Sequence, residues 1–505
     1  MPSKRKRVSD TSSVRRSTRV ASRQGWRVPP EILLLIMNEI QDSSITLKNA
    51  ALVCRAWRHP AQVVLFSEMQ LKSRGDCRRF IKILRKSPHL ASNIIRLNVV
   101  ERAFDSATST KSGHYLQHPD VFKLFSDFLG VYSINLREVT VSAYPWNGFT
   151  MKILKPLGKT VHRLKIDECE SVPCDSIVRI LEMMPELDSL HLSYGERSGS
   201  YFGQTRSYAM QLSESDGEAN RSEEIHSSLP KLASRSIKQL VLNRVEHRFD
   251  LMNYLLNPGH FDFSNLGYLS LTWMIVNDQQ IIEDPEFEQL DQLFKRIGPS
   301  LTHLKIWLSS SIFHDEDLPD FYITHFTQNQ TSSSLSYLTS VETVILDYAS
   351  VWSEPVAGFS VSSQLALLSC LSGSRLKAIK LVIFFEADEF LLISERCKNR
   401  ASEWESLDAL LTDGTKFANL ESVSVVFDIG FDALDMPIWV LHVSDWDDGH
   451  DMTVGEITQG FLALFEDCGH LAGLKKKGIL DVSLNLIDRS TSDLTEGSAK
   501  IAEWD

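Results

Sequence analysis

Few residues of this chain have the types and the spacing that catalysis or metal binding requires. Asp445 and Glu456 bound an acidic stretch with the length of a calcium-binding loop, but the glycine falls at its fifth position and not at the required sixth. Cys54 is followed by His59, yet a catalytic pair is defined by spatial geometry and not by closeness in sequence. We therefore interpret residues 445–456 as an acidic loop and predict that Cys54 is a small buried residue.

Other motifs of enzymes and cofactor sites are also missing from the sequence. Cys169 and Cys174 lack a second cysteine pair, whereas a zinc site needs four ligands. The phosphate-binding, dinucleotide-binding, nucleophile-elbow and zinc-protease motifs do not occur. The sequence thus predicts a protein without catalytic, cofactor or metal sites, with one alternative left open: an α/β hydrolase or transferase whose motifs are not recognisable.

Cysteine usage and hydropathy indicate the compartment. The seven cysteines are odd in number and scattered, which favours reduced thiols in the cytosol or nucleus. The amino terminus lacks the apolar segment of a secretory signal, and no run of about 18 apolar residues could cross a bilayer. We expect a cytoplasmic or nuclear protein that does not enter membranes.

Charge is distributed unevenly. Residues 1–27 hold nine basic residues and one acid, whereas the whole chain carries a net charge of −12. The remaining chain is therefore acidic, which argues against a broad nucleic-acid surface. The tail is interpreted as a solvated disordered arm, a weak nucleic-acid arm or a nuclear import signal. The import signal would consist of Lys4, Arg5, Lys6, Arg7, Arg15 and Arg16.

Three short helices are predicted between residues 28 and 61. Pro30 and Glu31 suit the first turn of a helix over about 30–40, and a second helix is predicted over 45–53. A third short helix follows up to Pro60. The segment from Ile32 to Met37 is apolar nearly all round, more than one core face requires. A unit of this size buries too little apolar surface to be stable alone, so we expect it to pack against a partner.

The same stretch resembles the F-box. It reads Val28-Pro29-Pro30-Glu31-Ile32-Leu33-Leu34 at its start and Leu52-Val53-Cys54-Arg55-Ala56-Trp57 at its end, with Val28 where the family usually has leucine. The resemblance covers about 40 of the 505 residues. It implies a non-catalytic subunit of an SCF-type ubiquitin ligase, in which the F-box binds the small adaptor that leads to the cullin. The residues that the resemblance places at or behind the adaptor-binding surface are Pro29, Ile32, Ile36, Leu47, Val53 and Trp57.

From residue 94 onward, apolar residues recur at positions i, i+3 and i+5, which is the core pattern of leucine-rich repeats. The triplets are Ile94/Leu97/Val99, Leu136/Val139/Val141, Val161/Leu164/Ile166, Leu187/Leu190/Leu192, Ile237/Leu240/Leu242, Leu266/Leu269/Leu271, Leu301/Leu304/Ile306, Val341/Val344/Leu346, Leu376/Ile379/Leu381, Leu420/Val423/Val425 and Ile479/Val482/Leu484. Helices are predicted between these strands, over 121–129, 176–184, 287–297, 364–371, 404–411 and 460–466.

This alternation predicts an α/β chain. We expect a basic tail (1–27), a three-helix F-box (28–67) and an irregular leucine-rich-repeat-like solenoid with a curved parallel sheet (68–505), with inserted loops near 195–235 and 312–336. A further strand is expected at 65–71. The alternative fold is a doubly wound α/β sheet. The expected function is recognition of target proteins for ubiquitination, and the alternative is a leucine-rich scaffold without ubiquitin chemistry.

Overall fold

The computed structural model describes residues 28–100, 119–132, 135–142, 154–169, 174–194, 235–243, 248–257, 261–274, 284–311, 334–351, 361–386, 401–431 and 469–488. The basic tail, the acidic stretch 445–456 and the helix predicted over 460–466 lie outside these residues. The chain divides into two compact units between Ser67 and Glu68.

Within residues 28–67, the first unit contains three helices, α1 (Pro30–Glu39), α2 (Ser44–Val53) and α3 (Arg55–Ser67). Pro30 occupies the first turn of α1, where its missing N–H would have no helical partner. The Ser43 hydroxyl caps α2 by accepting a hydrogen bond from the Thr46 backbone N–H at 3.2 Å. The helices predicted over about 30–40 and 45–53 are confirmed.

The third helix is longer than predicted. It passes through Pro60 and continues to Ser67, so the strand expected over 65–71 begins only at Glu68. An interior proline costs a helix about 3 kcal/mol. Packing offsets this cost because Pro60, Ala61 and Val64 are all buried. The core of the unit consists of Met37, Leu47, Ala50, Ala61 and Val64.

In its described residues, the second unit is built on one parallel sheet of 12 strands. The strands follow one another in the order of the chain, apart from two short strands that pair separately. A doubly wound sheet would reverse its strand order at a switch point, and this sheet does not. The chain is therefore α/β with a long parallel sheet, and the doubly wound alternative is wrong.

The strands of the large sheet are β1 (Glu68–Leu71), β2 (Arg96–Val100), β3 (Glu138–Ser142), β4 (Arg163–Cys169), β5 (Ser189–Tyr194), β7 (Gln239–Asn243), β9 (Tyr268–Met274), β10 (His303–Ser311), β11 (Thr343–Val351), β12 (Ala378–Glu386), β13 (Ser422–Phe431) and β14 (Leu480–Asp488). The small pair is β6 (Arg235–Ser236) with β8 (Phe261–Asp262). Arg235 thus belongs to a strand and not to the insertion expected over 195–235.

The repeated apolar triplets determine the register of the sheet. Leu97 pairs with Val139, which pairs with Leu164, and this row continues strand by strand to Val423. Each residue of the row is at most 1% exposed. All eleven strands that the triplets predict are present, because the i+3 and i+5 residues of each triplet lie on the same face of a strand.

The last triplet is displaced by two residues from the register that the other triplets share. Val423 pairs with Leu480 and Val425 with Val482, whereas the pattern aligns Val482 with Val423. A shift of two residues keeps the same side chains on the same face, so an apolar pattern cannot distinguish the two registers. Val482 and Leu484 are only partly buried at this end of the sheet.

Helices lie between the strands along the chain. They are α4 (Arg74–Lys86), α5 (Pro119–Lys123), which continues through a π-helical turn (Leu124–Leu129) and a short segment (Gly130–Tyr132), α6 (Cys174–Met183), α7 (Arg248–Leu256), α8 (Asp284–Ile297), α9 (Ser362–Cys370), α10 (Ala401–Thr412) and α11 (Ala472–Lys477). The helices predicted over 121–129, 176–184, 287–297, 364–371 and 404–411 are confirmed. Residues 334–336, expected in an insertion, form part of a 3₁₀ turn (Ser334–Tyr337).

Helix α4 is present although the patterns above do not predict it. Its signals are a Ser73 cap, whose hydroxyl accepts from the Asp76 N–H at 3.2 Å, and buried residues at Cys77, Ile81 and Leu84. These spacings of four and three residues are typical of a helix with one buried face.

Close approach of backbone segments supplies a first prediction. A Cβ added to Gly298 would overlap the Tyr337 carbonyl, whereas one added to Gly414 would meet nothing within 4 Å. We expect Gly298→Ala to lower the free energy of unfolding by about 2 kcal/mol or more, because backbone must shift. Gly414→Ala should change it by less than about 0.5 kcal/mol. Urea denaturation compares them, and equal effects would contradict the packing described.

Candidate docking surface

Helix α1 carries two apolar stripes on different sides. Leu33 and Met37, four residues apart, are buried. Ile32, Leu35 and Ile36 follow the same helical spacing but are 46%, 61% and 40% exposed. A ten-residue helix of a small unit can turn only one side toward its own core, so the second stripe remains in contact with solvent.

Helix α2 repeats this arrangement. Leu47 and Ala50 point into the core, whereas Ile45, Leu52 and Val53 are 71%, 78% and 67% exposed. Ile45 and Leu52 are seven residues apart, which places them on one side of the helix two turns apart. The polar side of an ordinary surface helix is therefore replaced in α2 by large aliphatic residues.

We call the six residues of these two stripes the apolar surface: Ile32, Leu35, Ile36, Ile45, Leu52 and Val53. In the described part of the chain, thirteen large hydrophobic residues are exposed, and seven of them, including Val28, lie within residues 28–53. Single exposed hydrophobic residues are normal in soluble proteins, but a concentration of them marks an interaction site.

The apolar surface ends with Val53 at the connection between α2 and α3. Cys54 has extended backbone angles (φ −159°, ψ 172°) and separates the two helices. Its carbonyl accepts a hydrogen bond from the Arg58 N–H at 3.2 Å, which starts α3. The Cys54 side chain is exposed. The prediction that Cys54 is buried is wrong, because it occupies this connection and not an inward helical position.

The six residues predicted at or behind an adaptor-binding surface lie at three depths. Leu47 is 2% exposed and belongs to the core. Trp57 is half-buried and packs against that core. The other four are exposed, and they are Pro29, Ile32, Ile36 and Val53.

Three of the most exposed apolar residues are absent from the predicted set: Leu35, Ile45 and Leu52. A helical spacing analysis would find them, because Leu35 and Ile36 lie three and four residues after Ile32. Leu52 lies seven residues after Ile45. Once one side of a helix is assigned to the core, the residues of the opposite stripe are those available to a partner.

The described residues offer little chemistry. They contain no group of three or more His, Cys, Asp or Glu side chains that could hold a metal ion. No hydrogen bond between Cys54 and His59 is found in this part of the chain. Burial, and then the charge of Asp76, raise the pKa of the Cys77 thiol to about 12. Cys77 is therefore a protonated packing residue near neutral pH and not a nucleophile.

Comparisons with known proteins add no family assignment. No family model matches this chain, and no curated protein matches it at a significant level. Among the helices described, none is long and apolar enough to cross a membrane.

The division of α2 into a core side and a solvent side gives the second prediction. Leu47→Ala should lower the opening free energy of the first unit by about 2–5 kcal/mol, because it leaves a cavity in the core. Leu52→Lys should change it by less than about 0.5 kcal/mol, since this side chain packs against little. Amide hydrogen exchange of peptides from α1 to α3 measures this unit separately. A large loss in the Leu52 variant would show that its side chain is enclosed.

Proposed function

We propose that this chain is an F-box substrate receptor of an SCF-type ubiquitin ligase. In this proposal the first unit binds the adaptor, and through it the cullin, while the second unit holds the target protein. The receptor makes and breaks no covalent bonds itself. The observation that carries the proposal is the apolar surface of α1 and α2, which lies on the segment that resembles the F-box.

The energetics favour a permanent partner for the apolar surface. Complete burial of one large aliphatic side chain contributes about 1.5–3 kcal/mol. The six residues are each roughly half exposed or more, so covering them would contribute on the order of 5–10 kcal/mol before the cost of association. An interface of this kind has an aliphatic centre with few charges.

Details of the sequence agree with the F-box resemblance. The proline pair at 29–30 starts α1, and the Val53-Cys54-Arg55 stretch coincides with the connection between α2 and α3. Trp57 is partly buried and packs against the core. In the proposed complex, Leu47 and Trp57 stabilise the unit, whereas the aliphatic residues on the outer sides of α1 and α2 contact the adaptor.

The second unit is proposed to be a degenerate leucine-rich-repeat-like solenoid with a curved sheet. Two observations support this: the sequential order of the parallel strands, and the continuous row of buried residues at the i+3 position of the triplets. Stacked repeats give both features, since each repeat contacts only its neighbours.

The proposed mechanism is tethering. A target held by the receptor places its lysines near the ubiquitin-loaded enzyme bound to the same scaffold, which raises the local concentration of the reacting groups. The second unit would set which proteins are held. The basic tail, with Lys4 to Arg7 and Arg15–Arg16, is proposed as a nuclear import signal, so the receptor would act in the nucleus, the cytoplasm or both.

Capture of the adaptor tests the proposal and supplies the third prediction. The wild-type chain should retain the SCF adaptor in a pull-down, and Leu52→Lys should reduce the amount retained at least about tenfold, because a buried ammonium lacks its water. Val131→Lys is the matched control, since Val131 is 59% exposed on the second unit. It should retain as much adaptor as the wild type.

Two outcomes would reject the receptor function. One is a wild-type chain that retains no adaptor, and the other is retention that is unaffected by Leu52→Lys. Either outcome would favour the alternative, in which a leucine-rich scaffold binds proteins without ubiquitin chemistry and residues 28–61 serve only its own fold.

Thiol labelling supplies the fourth prediction. Cys54 is exposed beside Val53, whereas Cys77 is buried with a pKa of about 12. A maleimide at pH 7.5 should therefore modify Cys54 quickly and leave Cys77 unmodified. Bound adaptor should slow the modification of Cys54, which mass spectrometry of the two peptides measures. Unchanged labelling of Cys54 in the complex would place the adaptor elsewhere.

A further inference from the structure

Helix α4 of the second unit presents a uniformly basic side to solvent. Its buried residues, Cys77, Ile81 and Leu84, lie together on one side of the helix. Away from them, a sector of about 120° around the helix axis contains no carboxylate, at 3.6 residues per turn. We call this sector the basic face, and its charged members are Arg78, Arg79, Lys82, Arg85 and Lys86.

The basic face is open and only partly neutralised. All five of its charged side chains are exposed. Arg78 Nε donates a hydrogen bond to Asp120 Oδ2 at 2.7 Å, and Arg79 Nη1 lies 3.7 Å from Asp76 Oδ1. Among the described residues, no carboxylate lies within salt-bridge distance of the other three. An ammonium has three donors and a guanidinium has five, so these side chains can bind an added anion.

The stability of α4 does not account for this concentration of charge. Lys82 lies three or four residues from each of the other four members of the basic face, which places like charges next to one another on the helix. Such pairs destabilise a helix. The helix dipole favours positive charge only in the last turn, where Arg85 and Lys86 lie. An anion bound at Lys82 would offset the repulsion.

Three features favour an acidic protein segment as this anion. A nucleic acid longer than the roughly 20 Å of α4 would reach the rest of the chain, which is acidic outside its basic tail. A helix that binds a lipid surface turns its apolar side to the lipid, whereas the apolar side of α4 is buried. Ile83 is 39% exposed and lies at helical spacing from Arg79 and Lys86, so it offers a contact to an apolar side chain.

We propose that the basic face of α4 binds an acidic segment of a partner protein. The helix is about 20 Å long, which is the length of about six residues of extended peptide. Carboxylates of the segment contact Lys82, Arg85 and Lys86, and an aliphatic residue among them contacts Ile83. The inference goes beyond the ligase function and does not depend on it, since the adaptor is proposed to bind the first unit.

The test uses hexaglutamate, a water-soluble carbodiimide and the full-length chain without adaptor. The carbodiimide links carboxylates to the lysine amines that they contact, and mass spectrometry measures the linked fraction of each lysine, so binding to the basic tail is measured separately. Lys82 and Lys86 should be linked at least about tenfold more than Lys476, an exposed lysine of α11. Added salt should lower the linkage, because the attraction is electrostatic.

Matched variants make the result specific. Lys82→Glu should lower the linkage of Lys86 at least about tenfold, because it reverses the central charge. It should unfold in urea at a concentration no lower than the wild type, since it removes the repulsive pairs. Lys476→Glu makes the same charge reversal on α11 and should leave the linkage of Lys86 within about twofold. Arg85→Gln should lower it about threefold, and it keeps the test valid even if Lys82→Glu fails to fold.

The inference is overturned if Lys86 is linked no more than Lys476, or if neither Lys82→Glu nor Arg85→Gln lowers its linkage. A DNA duplex added at the same concentration of negative charge should leave about half of the linkage or more, and complete displacement would assign the basic face to nucleic acid instead. Adaptor capture is measured separately. Absent linkage with intact adaptor capture would reject the basic face alone, whereas linkage without adaptor capture would reject the ligase function alone.

Discussion

A short helix that is apolar on two sides constrains the first unit of this protein. Leu33 and Met37 of α1 are enclosed, and Ile32, Leu35 and Ile36 on the other side are not. The core that encloses the inner side is small. It includes Ala61 and Val64, which follow Pro60 in α3. No further helix of this unit is described that could cover the outer side. The function proposed for the chain depends on this surplus of apolar surface.

The sheet of the second unit was largely predictable, because the spacing of apolar residues in the triplets indicates which side chains of a strand are buried. Eleven of the twelve strands described in the large sheet follow from triplet residues such as Leu97 and Val139, which are buried. The register of β14 was not predictable, since a shift of two residues preserves the face of every side chain. The length of α3 was not predicted. A proline usually ends a helix, but the burial of Ala61 and Val64 stabilises α3 beyond Pro60.

The position of the exposed apolar residues along α1 and α2 was predictable, but the burial of each one was not. The F-box resemblance places Ile36, Leu47 and Val53 together, but only the packing of three helices shows that Leu47 is enclosed and Val53 is not. The exposed position of Cys54 likewise follows from an extended connection that its residue type does not reveal. The polar face of the sheet was not predictable from the triplets, which specify only the buried side.

Hydrogen–deuterium exchange of the full chain with and without the SCF adaptor measures most directly whether a partner covers the outer sides of α1 and α2. We expect the adaptor to slow amide exchange in peptides covering residues 30–53 and to leave exchange in α4 and in the strands β9 to β12 unchanged. Unchanged exchange over residues 30–53 in a saturated mixture, or protection confined to the second unit, would contradict it.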